Sequence, residues 1–225
     1  MINKPTLGQG IFTIPEAAMI LAMPTGKVNQ WIKKYWEMEF VKFDKIDFDT
    51  YIWGDKKDKA FNFFTLIELI SVKSFRDLGL SFHKIKKAHD ILSDLMNIPF
   101  PFATSNLLSD GKTIFLDEKS SELLGVDKKF QYSFRAIVSP YCKKLEFETE
   151  TLIAKRYWPL GKSHNIVVDP NHSFGQPTII GTNITVYAVQ RLLIAGESKD
   201  FISKAFEIST AAVDDVCTFV QRSAA

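Results

Sequence analysis

Apolar positions near the start of the chain fall three and four apart, and polar residues fill the gaps between them. Thr13-Ile14-Pro15-Glu16 has the form of a helix start, with a threonine able to cap, a proline where the first turn tolerates one, and a glutamate three places on. Ala17, Ala18 and Leu21 continue this helix. Pro24 ends it, because proline disfavours helical geometry in the residue before it. Thr25 is expected to cap a second helix, in which Val28, Trp31, Ile32 and Tyr35 recur at i, i+3, i+4 and i+7 and form one apolar face. The opposite face carries Lys27, Asn29, Gln30, Lys33 and Lys34. Two short helices joined by a tight turn, the second polar and basic outside, is the helix-turn-helix pattern. Asn29 and Gln30 suit adenine edges, and the lysines suit guanine or phosphate. A solvated amphipathic helix is the plainer alternative.

Phe40-Val41-Lys42-Phe43 and Thr50-Tyr51-Ile52-Trp53 read as short strands around a charged linker. The tip that follows, Gly54 to Lys59, is rich in lysine. As a wing it would bring Lys56, Lys57 and Lys59 to phosphates; otherwise it is a solvated turn. Thr65-Leu66-Ile67-Glu68 has capping-box form and predicts a helix ending at Gly79. Ser81 is expected to cap another helix, with Phe82, Ile85, Ala88 or His89, Leu92 and Leu95 on one face.

Two blocks carry a family resemblance. Thr13 to Ala18 with Val28-x-x-Trp31-Ile32 resembles the helix-turn-helix of MerR-type regulators. Leu66-x-x-Leu69-Ile70, followed by Phe75-Arg76-x-x-Gly79-x-Ser81, is similar to that family's third and fourth helices. The resemblance covers roughly residues 10–96 and implies a DNA-binding winged helix-turn-helix. The long dimerising coiled coil of typical members is absent, so metal or drug sensing is not implied.

Pro99-Phe100-Pro101-Phe102 breaks the helical pattern. Asp110-Gly111 ahead of Thr113-Ile114-Phe115-Leu116 is a hairpin signal, residues 128–142 read as a helix, and 145–149 and 152–158 read as two strands. Arg135, Lys143, Lys144, Lys155 and Arg156 could form a basic strip facing a partner, or the solvated face of a sheet.

The last sixty residues begin with a short strand, Ile166-Val167-Val168, and a turn at Asp169-Pro170. Gly175 and Gly181 bracket β-branched residues that suit another strand. Three helices follow: Val186 to Ala195 closed by Gly196, one capped by Ser198, and one capped by Ser209 or Thr210. A unit this small should pack on a neighbour or dimerise. From Ile166 to about Arg222 the stretch resembles the DUF433 family (domain of unknown function 433), in its apolar-Asp-Pro start, Gly-x-Pro, Gly-Thr-x-Ile-x-Val and three helices. Asn183 stands where that family commonly has arginine.

Members of that family are typically encoded beside toxins of PIN-like nuclease fold. The order of MerR-like domain and DUF433 domain resembles VapB antitoxins of VapBC-like type II toxin–antitoxin modules. The resemblance implies operator-DNA binding for autoregulation and neutralisation of a PIN-like ribonuclease toxin. Its acidic metal site would attract the basic strip. A stand-alone MerR-like transcriptional regulator is the rival reading.

Charge divides the chain. The first hundred residues hold 14 Lys+Arg against 12 Asp+Glu, and residues 164–225 hold 4 against 6. A net negative segment is repelled by duplex DNA, so contact with double-stranded DNA falls to the N-terminal domain and dimerisation to the C-terminal one. The expected fold is α+β, mainly α: residues 1–97 a winged helix-turn-helix, 98–163 a mixed connector and 164–225 a trihelical domain. The expected assembly is a homodimer or a toxin–antitoxin hetero-oligomer. Cys142 and Cys217 lack CxxC or histidine partners in sequence and read as reduced thiols of a cytoplasmic protein. Neither a signal peptide nor a membrane span is predicted. His164, Asp169 and His172 are the best enzyme candidates but lack a nucleophile or phosphate-cradle motif. No catalytic role, metal or cofactor is expected.

Overall fold

The computed structural model describes residues 8–36, 52–54, 59–104 and 143–222. Its fold is α+β, mainly α, as expected. The first strand, β1 (Phe12–Thr13), leads directly into α1 (Ile14–Leu21). Thr13 and Glu16 form the reciprocal capping box the sequence suggests: the Thr13 hydroxyl accepts from Glu16 N–H at 3.4 Å, and the Glu16 carboxylate accepts from Thr13 N–H at 2.8 Å. A left-handed Ala22 then turns the chain into α2 (Thr25–Trp31).

The start of α2 differs from expectation. Pro24 is the cap residue, Thr25 is already helical, and no side chain caps the end. Proline's fixed φ already suits entry into a helix. After Trp31 the helix widens into one π turn, Ile32–Trp36, instead of continuing as a regular α-helix. The side chain of Tyr35 lies outside the described residues.

Strands β2 (Ile52–Trp53) and β3 (Ala60–Phe61) pair antiparallel across the Gly54–Lys59 tip, with Ile52 opposite Phe61. β3 also pairs with β1, giving the order β1-β3-β2. The proposed strand at 40–43 lies outside the described residues. Helix α3 (Phe63–Asp77) begins two residues before Thr65, and its cap is Asn62, whose side chain accepts from Thr65 N–H at 2.9 Å. Thr65 and Glu68 therefore do not form a capping box; both are buried in the core. Gly79 at φ +82° closes the helix as expected, and Ser81 caps α4 (Phe82–Met96). A 3-10 turn at Pro101–Ala103 follows. The hairpin at 109–116 and the helix at 128–142 lie outside the described residues.

The two expected strands, β4 (Leu145–Phe147) and β5 (Ala154–Tyr157), pair as an antiparallel ribbon, with an irregularity between Glu146 and Phe147. A bridge from Tyr157 to Val168 ties this ribbon to β6 (Ile166–Val167), which pairs with β7 (Thr178–Ile179). Then come α5 (Val186–Ile194), α6 (Lys199–Phe206) and α7 (Thr210–Gln221), capped by Thr185, Ser198 and Ser209.

Buried apolar residues from all three segments belong to one cluster, running from Phe12, Phe61 and Leu66 through Phe102 and Leu145 to Val168, Val189 and Phe219. The trihelical unit thus packs on a neighbour, as its size requires. The seam is specific. The Phe12 ring, 1% exposed, lies so close to Gly10 and Gly175 that a Cβ would sit 2.8 Å and 2.5 Å from it. Ile11 N–H donates across it to Phe174 O at 2.8 Å, and within the N-terminal segment Phe63 N–H donates to Gln9 O at 2.8 Å. At the opposite edge Arg222, just past α7, donates to Pro159 O at 3.0 Å and to Ile20 O at 3.1 Å. Its guanidinium lies 4.6 Å from the Phe219 ring centre. The bond to Ile20 satisfies a carbonyl in the last turn of α1, where helical carbonyls lack partners of their own.

Candidate nucleic-acid interface

The two faces of α2 separate as the periodicity requires. Val28, Trp31 and Ile32 are buried, at 0%, 7% and 0% exposed, and the helix packs against α1. Thr25, Lys27, Asn29, Gln30, Lys33 and Lys34 are all exposed. The Lys27 ammonium lies over the Trp31 ring, 5.6 Å from its centre, while the residue as a whole stays exposed. The result is a convex ridge with two amides and three ammonium groups, backed by a rigid core.

The wing is only partly as expected. Lys56 and Lys57 lie outside the described residues. Lys59 does not project from a tip; it is 9% exposed at the base of β3. Burial lowers its pKa, and the positive charge of Lys33 lowers it further. The two cations therefore repel each other.

The proposed partner strip does not form one set. Arg135 lies outside the described residues. Lys143 and Lys155 are exposed. Lys144 turns inward: its ammonium donates to Pro159 O at 3.3 Å, and burial pushes its pKa down, helped by Arg222 and Lys73. Arg156 donates from Nε to Asp169 at 2.6 Å and lies 3.8 Å from Glu146. Its pKa is raised by the Asp169 hydrogen bond, against a smaller opposing effect of burial, and its charge is thus largely neutralised within the chain.

The residues weighed for catalysis do not converge. His164 Nδ1 lies 2.7 Å from Asp215, which also accepts from the Asn165 backbone and side chain. Burial opposes ionisation of Asp215, but the hydrogen bonds from Asn165 and His164 hold its pKa below the ordinary carboxylate value. Asp169 is committed to Arg156 and to Asn171 N–H, and His172 Nε2 meets Thr182 O at 2.9 Å. Asp169 and His172 do line a pocket of about 420 Å³ with Arg156, Thr178, Thr182 and Asn183. Among the described residues, no group of three or more His, Cys, Asp or Glu is placed to hold a metal ion, and no helix is long and apolar enough to cross a membrane.

Sequence reasoning missed two positioning residues. Arg222 has no spacing relation to Ile20 that a linear motif could show. Glu68 is fully buried, accepts from Phe102 N–H at 2.8 Å and lies 3.4 Å from His89 Nε2. A buried carboxylate is costly unless donors surround it. Here they tie α3, α4 and the 101–103 turn together. The one available signal was a charge inside an otherwise apolar helical face, Leu66 to Leu69.

Residues 166–220 match the family model described as "Protein of unknown function (DUF433)". In an alignment of 202 residues covering 83% of each chain, the sequence is 25% identical to a Mycobacterium tuberculosis (strain ATCC 25618 / H37Rv) protein named "Putative antitoxin VapB45". Among solved structures, the crystal structure of Rv2018 from Mycobacterium tuberculosis has the same fold, with a TM-score of 0.68, 19% identity, and coverage of 92% of this chain and 96% of that one.

Proposed function

We propose that this chain, with a DUF433 segment at its C-terminal end, is the antitoxin of a VapBC-like pair, binding operator DNA and neutralising a PIN-like nuclease. Similarity to a protein named as an antitoxin, spread over most of both chains, supports the antitoxin part. The observation that carries the DNA part is the outward ridge of Lys27, Asn29, Gln30, Lys33 and Lys34 over a buried Val28-Trp31-Ile32 face. A helix of this kind enters the major groove with its amides at base edges and its lysines at guanine or phosphate. Lys56, Lys57 and Lys59 would add phosphate contacts from the wing, with Lys59 emerging as the anion draws it out. On the toxin side Lys143 and Lys155 remain available at the ribbon, and Arg135 joins them in this reading. Lys144 and Arg156 would have to exchange internal partners first.

The gel-shift test uses the chain's own upstream region. Lys33→Glu with Lys34→Glu removes two phosphate-reach cations and adds two anions, and binding should fall by at least about a hundredfold at moderate salt. Unchanged affinity would remove α2 from the interface. Co-expression with the neighbouring gene should give a stable complex in which the nuclease is silent. A free, active neighbour would instead favour the second reading, a stand-alone MerR-like regulator.

A further inference from the structure

Strands β5, β6 and β7 and the turn after β7 border a polar pocket of about 420 Å³, within the range of small-molecule sites, roughly 300–1,000 Å³. Val167 on β6 is paired with Thr178 on β7, β5 contributes Arg156, and the turn contributes Ile180 and Asn183. Thr178 is only 1% exposed, yet it lines the pocket. Neither its hydroxyl nor the Asn183 amide has a hydrogen-bond partner among the described residues. His172 Nε2 faces the Thr182 carbonyl, which can only accept, so Nε2 carries the hydrogen and Nδ1 of the neutral ring is an acceptor. Arg156 is held by its edge, with Nε–H donating to Asp169 at 2.6 Å. A guanidinium held in this way keeps its flat faces for stacking.

We propose that this pocket binds a nucleobase, presented as a free nucleoside. The charges around it select an uncharged ligand. Arg156 is answered by Asp169 and, at 3.8 Å, by Glu146, and residues 164–225 hold 4 Lys+Arg against 6 Asp+Glu. Such surroundings leave no net positive charge to hold a phosphate, and they repel a nucleic-acid strand. The remaining groups select the ligand's shape. Val167, Ile180 and the guanidinium faces suit a flat ring, whereas the Thr178 hydroxyl, the Asn183 amide and the His172 acceptor suit an edge that both donates and accepts. A sugar offers the hydrogen bonds without the flat ring, and an aliphatic ligand offers neither. A nucleobase combines the two. None of these residues belongs to the α2 ridge, so the site stands or falls apart from the operator reading.

Equilibrium dialysis of the full chain against adenosine, guanosine, cytidine and uridine reads the site directly. At least one nucleoside should bind with a Kd below about 1 mM. Its 5′-monophosphate should bind more weakly, because the added charge meets Asp169 and Glu146. Thr178→Val keeps the side chain's shape and Asn183→Ala trims an exposed residue. Each should weaken the nucleoside by about three- to tenfold, the usual effect of one lost hydrogen bond. Arg156→Lys keeps the charge but not the flat face, and should weaken it by about tenfold. Circular dichroism and thermal melting would show which variants are folded, and Asn183→Ala, at an exposed position, carries the test if the others are not. A wild-type chain that binds none of the four nucleosides at about 1 mM overturns the proposal. So does a folded Asn183→Ala variant that binds as tightly as wild type. Tighter binding of the monophosphate, undiminished in Arg156→Lys, would make the pocket a phosphate site and overturn it too. Tighter binding of a single-stranded tetranucleotide than of the nucleoside would overturn the free-ligand assignment.

Discussion

Gly175→Ala tests the seam between the N-terminal helices and the C-terminal segment. Two costs add at this position. The backbone sits at φ +89°, where an L side chain costs about 1–2 kcal/mol. The new methyl would also lie 2.5 Å from Phe12 Cζ, far inside the ordinary carbon contact of roughly 3.5–4.0 Å. Phe12 cannot easily retreat, since Gly10 also approaches the same ring, where a Cβ would lie 2.8 Å from it. Overpacking of this kind costs about 1–3 kcal/mol. The expected total, about 2–5 kcal/mol, is a large part of the ~5–15 kcal/mol that stabilises a typical domain. Urea unfolding of the full chain would read it as a lower midpoint at constant m-value. The sharper measurement is a double-mutant cycle. In a Phe12→Leu background the methyl meets no ring, so Gly175→Ala should retain only the backbone cost. Coupling of about 1 kcal/mol or more is expected. If the two changes add within roughly 0.5 kcal/mol, Phe12 does not lock against Gly175 and the described seam is wrong.

Arg222→Met keeps the stem over Phe219 but deletes both carbonyl contacts. It should destabilise the chain by about 2–3 kcal/mol and speed amide exchange at Ala22 and Met23, whose N–H groups close the end of α1; unchanged exchange there would show that the clamp does not hold α1. His89 supplies a pH prediction. Burial alone would push the imidazole pKa down, but the Glu68 carboxylate, with Asp90, outweighs it and raises the pKa above 6.5. A raised folded-state value means that the stabilisation is fully present below about pH 6.5. It is then lost as pH rises through the folded value. Urea midpoints should therefore fall across that window in the wild type and stay flat in His89→Gln; equal pH slopes in the two proteins would refute the pairing.

Local signals in the sequence were read correctly where the chemistry is local. Thr13, Ser81, Ser198 and Ser209 each cap the helix that follows, because a cap needs only its own side chain and an amide three residues on. The α2 ridge was legible for the same reason, since one helical period sorts its faces. Thr65 misled because its spacing to Glu68 copies a capping box. Asn62 occupies that role instead, and the two-phenylalanine start of α3 sinks into the core. β1 escaped notice because two residues show no alternation, and its partners lie nearly fifty residues away. The basic strip dissolved for a related reason: composition shows that Lys144 and Arg156 are charged but not that Pro159 O and Asp169 already engage them.

The bond from Arg222 to Ile20 spans 202 positions of sequence. During synthesis, α1 and α2 leave the ribosome long before the residue that anchors them exists. A nascent or prematurely terminated chain would present the basic ridge on a domain whose first helix still has an unanswered carbonyl and an open seam. The first helix is therefore fully anchored only in finished molecules.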